Sequence, residues 1–192
     1  MPGKVIIIIP SQGKDNNAFE DTARKLKKEV YPHATIVRTV LTDVGEDDDK
    51  KTTFALQTLD GHEFKWSTKH DFSRVITVSH GFMDDGPNMA FGELFKTNQP
   101  WGSKDGRGQE LSDVAKDFWK SVGNSLNNRG KILLLGCSMG ASAYAGNVAK
   151  ASGRHVFAAT SSISAGDPKS TLKLVKSIES GHAKDPMQDF RP

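Results

Sequence analysis

The chain of 192 residues predicts one α/β domain with a mostly parallel central sheet and helices on both faces. Three observations carry this. Short runs of apolar or β-branched residues, such as Lys4–Pro10 and Lys131–Leu135, read as strands buried on both sides. Segments with 3.6-residue apolar periodicity alternate with these runs. The resulting order, β-α-β-hairpin-β-α-β-α-β-α, is that of strands joined by helical crossovers.

In chain order, Lys4–Pro10 is a central strand because it carries no polar face. Residues Ala18 to Val30 form a helix with Phe19, Ala23, Leu26 and Val30 on one stripe, and Asn16–Asn17 stand before it as caps. Ala34–Thr42 is the second strand, and the acidic run Glu46–Asp49 a solvated loop. Phe54–Leu59 and His62–Trp66 flank Asp60–Gly61, a hairpin by its turn chemistry. Arg74–Ser79 is the next strand. Residues Phe82–Gly108 are rich in Gly, Asp, Asn, Pro and Lys, with one short apolar piece at Met89–Phe95, which marks a functional loop.

Leu111–Leu126 is an amphipathic helix carrying Leu111, Val114, Ala115, Phe118, Trp119, Val122 and Leu126 on one face. Lys131–Leu135 is a strand, Ala141–Ala151 a helix of small residues ending at Gly153, and His155–Thr160 the last strand. Asp167–Pro168 caps a final helix to about Glu179, and the tail from Gly181 is expected to fray. No repeat or domain boundary interrupts residues 1–192, which read as one domain.

Composition narrows the function classes. A net charge of +3, from 26 basic and 23 acidic residues with no basic stripe among aromatics, gives no footprint for nucleic acid. The single Cys excludes an intrachain disulfide and suits a reducing compartment. The run VIIIIP is too short for the apolar region of a signal peptide, and no stretch approaches a membrane span. The expectation is a protein that is cytoplasmic as synthesised.

Two strand ends carry the chemistry. RVITVSHG ends in His80–Gly81, and KILLLGCS ends in Gly136–Cys137. In open α/β sheets the carboxyl ends of the strands line the ligand crevice. A Cys there, just before a helix, meets backbone N–H groups that favour a thiolate, and a His at a neighbouring strand end can act as its base. The Gly81 N–H suits an oxyanion donor. Singly, Cys137 is more simply a small buried hydrophobe and His80 a satisfied core histidine. The pairing, each after an apolar strand and beside a glycine, favours catalysis.

Gly136-Cys137-Ser138-Met139-Gly140 also fits G-x-S-x-G, the nucleophile elbow of α/β-hydrolases, which would make Ser138 the nucleophile of a serine esterase or lipase. That reading needs an acid and a His downstream. Asp167 already has a simpler role as a helix cap, and His182 lies in the polar tail, so it stands second. Asp15, after the first strand, is a candidate to orient His80 or else a capping carboxylate. Asp84 and Asp85 read as turn formers. The remaining histidines, His33, His62, His70, His155 and His182, have no metal-ligand spacing, so no metal site is expected. SQGKDNN lacks the pattern of a phosphate-binding loop.

The order of apolar block, His-Gly, spacer, second apolar block and Gly-Cys resembles the caspase-like cysteine peptidases of clan CD. Over Arg74 to Gly166 the sequence is most similar to the self-cleaving cysteine peptidase domain of large bacterial toxins and to a related domain of giant bacterial surface proteins. The resemblance implies a caspase-like three-layer sandwich, Cys137 as nucleophile, His80 as base and the Gly81 N–H at the oxyanion. It also implies an upstream acid, for which Asp15 is the nearest match, and a substrate pocket walled by Thr160, Ser161 and Ser162. No arginines stand where an aspartate-selective pocket needs them. The scattered Lys and Arg give no reason to carry over the toxin domains' inositol hexakisphosphate response. No cofactor is expected. The partners expected are a protein or peptide substrate, with no nucleic acid and no membrane span, and a cognate inhibitor or delivery partner if the chain is a bacterial effector or toxin exported without a signal peptide. A non-catalytic binding module on the same fold is the third reading.

Overall fold

A computed structural model describes residues 3–10, 16–44, 51–66, 69–81, 110–141 and 143–192. Its elements run β1 (Lys4–Pro10), α1 (Asn16–Glu29), β2 (Thr35–Val44), β3 (Lys51–Thr58), β4 (Glu63–Phe64) and β5 (Phe72–Val78). Then come α2 (Asp113–Ser125), β6 (Leu126–Leu135), α3 (Tyr144–Ser152), β7 (His155–Ala159), α4 (Pro168–Glu179) and β8 (Met187–Phe190). The strands form one eight-stranded sheet ordered β4-β3-β2-β1-β5-β6-β7-β8. Neighbours from β2 to β7 are parallel, while β3, β4 and β8 add antiparallel edges. The predicted mostly parallel sheet with helices on both faces is therefore the architecture observed.

Side-chain alternation divides the core in two. Ile7, Ile9, Ile76, Val78, Leu133 and Leu135 face one side and pack with Phe19, Ala23 and Leu26 of α1 and Val175 and Ile178 of α4. Ile6, Ile8, Val75, Ile132 and Leu134 face the other, beneath Ala115, Phe118, Trp119 and Val122 of α2 and Val148 of α3. The runs Val5–Ile9 and Ile132–Leu135 are thus apolar at every position because both faces are covered. Each fully buried Ile or Leu contributes roughly 1.5–3 kcal/mol through burial.

The element ends depart from the sequence reading where tertiary contacts decide. Helix α2 stops at Ser125, not Leu126, and β6 starts five residues before the expected Lys131. The Arg154 guanidinium lies across this junction, donating to the carbonyls of Gly123 (3.0 Å) and Leu126 (2.8 Å) and so satisfying acceptors at the helix end. Strand β3 pairs with β2 as well as with β4, an antiparallel ladder from Val37↔Thr58 to Val44↔Lys51 that the hairpin motif alone does not announce.

The tail expected to fray from Gly181 instead carries β8, which pairs along β7 from Ala159↔Met187 to Val156↔Phe190. Met187 is buried there. Its backbone partners lie far away in sequence, which is why local composition misled. Among the described residues, no helix is long and apolar enough to cross a membrane.

Candidate active site

The strand order places the site. The chain steps from β1 outward to β2, then returns to lay β5 on the other side of β1, with β6 beyond it. A reversal of this kind opens a crevice at the carboxyl ends of the parallel strands. His80 follows β5 and Cys137 follows β6, so the two predicted residues leave adjacent strands at that end of the sheet.

The ladder fixes the register of the two strands up to their ends. Val78 pairs with Leu135, and the ladder continues with the Ser79 N–H donating to the Leu135 carbonyl at 3.1 Å. Beyond that pair the two chains stay in contact: the Ser79 and His80 carbonyls lie against Gly136, and Gly81 lies against the Cys137 backbone. Val78 and Leu135, the last strand pair, both point into the α1/α4 layer. The surroundings agree: the His80 ring meets Phe19 of α1, and the Cys137 thiol donates to the Ile163 carbonyl at 3.0 Å. Both side chains are half-buried, reachable from solvent yet held.

Gly81 is where the two strand ends touch. A Cβ on Gly81 would lie 2.0 Å from the Cys137 carbonyl oxygen and 2.5 Å from its nitrogen. Only glycine allows this backbone-on-backbone contact. The residue expected to supply an oxyanion donor therefore also sets the spacing between the His-bearing and Cys-bearing turns. Before it, the Ser79 hydroxyl donates to the His80 carbonyl at 2.9 Å.

Ser138 differs from its neighbour. It is buried, with 3% of its surface exposed, whereas Cys137 is accessible in part. Its φ of 52° lies in the left-handed region that non-glycine residues seldom occupy. Its N–H donates to the Ser161 carbonyl at 3.0 Å, and the Gly140 N–H donates to the Ala159 carbonyl at 2.7 Å. These bonds tie the turn before α3 to the end of β7. Asp167 acts as the cap of α4, accepting from the N–H groups of Lys169 and Ser170. The Ser170 hydroxyl and these N–H donors hold its carboxyl below the ordinary aspartate range.

The proposed pocket wall divides. The Thr160 hydroxyl donates to the Pro186 carbonyl at 3.1 Å, so it is engaged with the segment leading into β8. Ser161 and Ser162 are exposed. Asp15 and the loop Phe82–Gly108 lie outside the described residues. Two contributors escaped the sequence reading. Phe19 shows there only as the first member of an apolar helix stripe, and Ile163 acts through a main-chain carbonyl, which no side-chain pattern announces. Among the described residues, no cluster of three or more His, Cys, Asp or Glu is arranged to hold a metal ion.

No family model, curated protein or solved structure matches the chain.

Proposed function

We propose that the chain is a cysteine peptidase of caspase-like type that works through Cys137 and His80. One observation carries the reading: a histidine and the single cysteine of the chain follow adjacent parallel strands at the crevice end of the sheet, and each meets a residue of the α1/α4 layer. His80 takes the thiol proton as Cys137 attacks a peptide carbonyl. The tetrahedral intermediate collapses with the proton passing from His80 to the leaving amine, which departs and leaves an acyl-thioester. Water, deprotonated by His80, then releases the acid and regenerates the thiol. Export as an effector or toxin, with a delivery partner or cognate inhibitor, belongs to this same reading and rests on the sequence resemblance.

A serine esterase using Ser138 is the second reading, and the positive φ on a strand-to-helix turn is the observation in its favour. The burial of Ser138 and the capping role of Asp167 weigh against it. Wild type, Cys137→Ala, His80→Ala and Ser138→Ala, assayed on peptide and ester libraries, test the choice. Peptide cleavage should vanish in Cys137→Ala, fall by about 10²–10⁴ in His80→Ala and persist in Ser138→Ala. Hydrolysis that survives Cys137→Ala and is lost in Ser138→Ala would transfer the activity to the serine. No hydrolysis that responds to any substitution would leave a binding module.

A further inference from the structure

We propose that Phe19 is a positioning residue for the His80 imidazole, an inference that rests on the cysteine–histidine reading of the site. The two rings lie with centroids 4.8 Å apart and planes at 83°, an edge-on arrangement in which the ring edge of one meets the π-face of the other. A base must hold its ring nitrogen within hydrogen-bond reach of the proton it takes. Restricting the imidazole to one orientation is the contribution the Phe19 contact makes.

Phe19 is itself immobile enough for that task. It is 2% exposed and belongs to the apolar layer that includes Ala23, Ile163 and Ala165. Gly166 lies against the first turn of α1: a Cβ there would fall 3.2 Å from the Ala18 Cβ and in ordinary contact, at 3.9 Å, with the Phe19 ring. The segment that brings the Ile163 carbonyl to the Cys137 thiol thus also backs the ring that meets His80. One apolar layer holds both reacting side chains.

The test uses the whole chain and the alkylation rate of Cys137 with iodoacetamide, unambiguous because the chain has one cysteine. Phe19→Leu, which keeps apolar bulk and removes the ring, should slow alkylation about three- to tenfold, whereas Phe19→Tyr should stay near wild type. In a His80→Ala background Phe19→Leu should change nothing further, because the ring acts only through the imidazole. Melting temperatures identify any variant that fails to fold, and Phe19→Met serves as a second ring-free variant. An equal effect of Phe19→Leu in both backgrounds, or no effect in either, overturns the proposal. If His80→Ala slows alkylation but Phe19→Leu does not, the positioning role alone falls. If His80→Ala leaves the rate unchanged, the cysteine–histidine reading falls and takes this one with it.

Discussion

The Cys137 thiol donates its hydrogen to the carbonyl oxygen of Ile163 at 3.0 Å. This bond exists only while the sulfur carries its proton. Once the proton leaves, the carbonyl oxygen faces a thiolate, and like partial charges repel. If Cys137 is the nucleophile proposed above, its activation requires the sulfur to turn away from Ile163 or the segment to move off. Ile163 is anchored by its side chain in the α1/α4 layer. Replacing it by Ala should cost about 1–2 kcal/mol, less than for a fully buried isoleucine, and release the carbonyl. Alkylation of Cys137 should speed up severalfold in Ile163→Ala, as followed by mass spectrometry.

Gly81 meets the Cys137 peptide too closely for any side chain. Gly81→Ala must part the two strand ends, a strain of about 1–3 kcal/mol by the usual measure of overpacking. Hydrolysis should be lost while the far-ultraviolet spectrum stays that of a folded α/β protein. A Gly81→Ala protein with wild-type turnover would show that the spacing of the two turns does not matter.

A second cluster lies away from the site and holds α4 to the sheet. Arg74 grips Glu179 with two hydrogen bonds, 2.6 Å and 2.7 Å long, and the Tyr31 hydroxyl donates to the same carboxylate at 2.7 Å. Burial alone would raise the Glu179 carboxyl, but Arg74 and Tyr31 override it and hold the group below its ordinary value. A carboxylate so lowered stabilises the fold at pH values above its unfolded pKa of about 4.3, and that stability is lost as pH falls through the lower folded value. Glu179→Gln should cost about 1–3 kcal/mol at pH 7, since the pair is largely but not fully buried. The gap in melting temperature between variant and wild type should close in acid. A gap independent of pH would contradict the ionic account.

Asp167 separates the two hydrolase readings. As a helix cap it is replaceable by Asn, which offers the same acceptor to the first-turn N–H groups. Asp167→Asn should therefore lower the melting temperature by a few degrees at most and leave hydrolysis intact. Loss of all hydrolysis with the fold preserved would mark it as a catalytic acid and restore the serine reading.

The legible parts of this protein are those written in local pattern. Strand β1 and helix α4 end where their apolar runs and caps say, because burial on both faces and the Asp167 side chain act within a few residues. His80 and Cys137 could be placed at strand ends from sequence because each follows an apolar run. The remainder depends on distant partners. Strand β8 exists because β7 offers it an edge, and α2 ends where Arg154, in the turn after α3, reaches its carbonyls. Ile163 enters the site through its backbone and Phe19 through packing across layers, and neither leaves a residue-type signature.

The central claim, a Cys137 nucleophile activated by His80, is tested most directly by mechanism-based labelling read by peptide mass spectrometry. Wild type is treated in parallel with a peptidyl acyloxymethyl ketone and a fluorophosphonate, and His80→Ala with the ketone. The account predicts a single ketone adduct on Cys137, formed about 10² times more slowly or worse in His80→Ala, and no phosphonate on Ser138. A phosphonate on Ser138, or a Cys137 adduct formed at the same rate without His80, would contradict it.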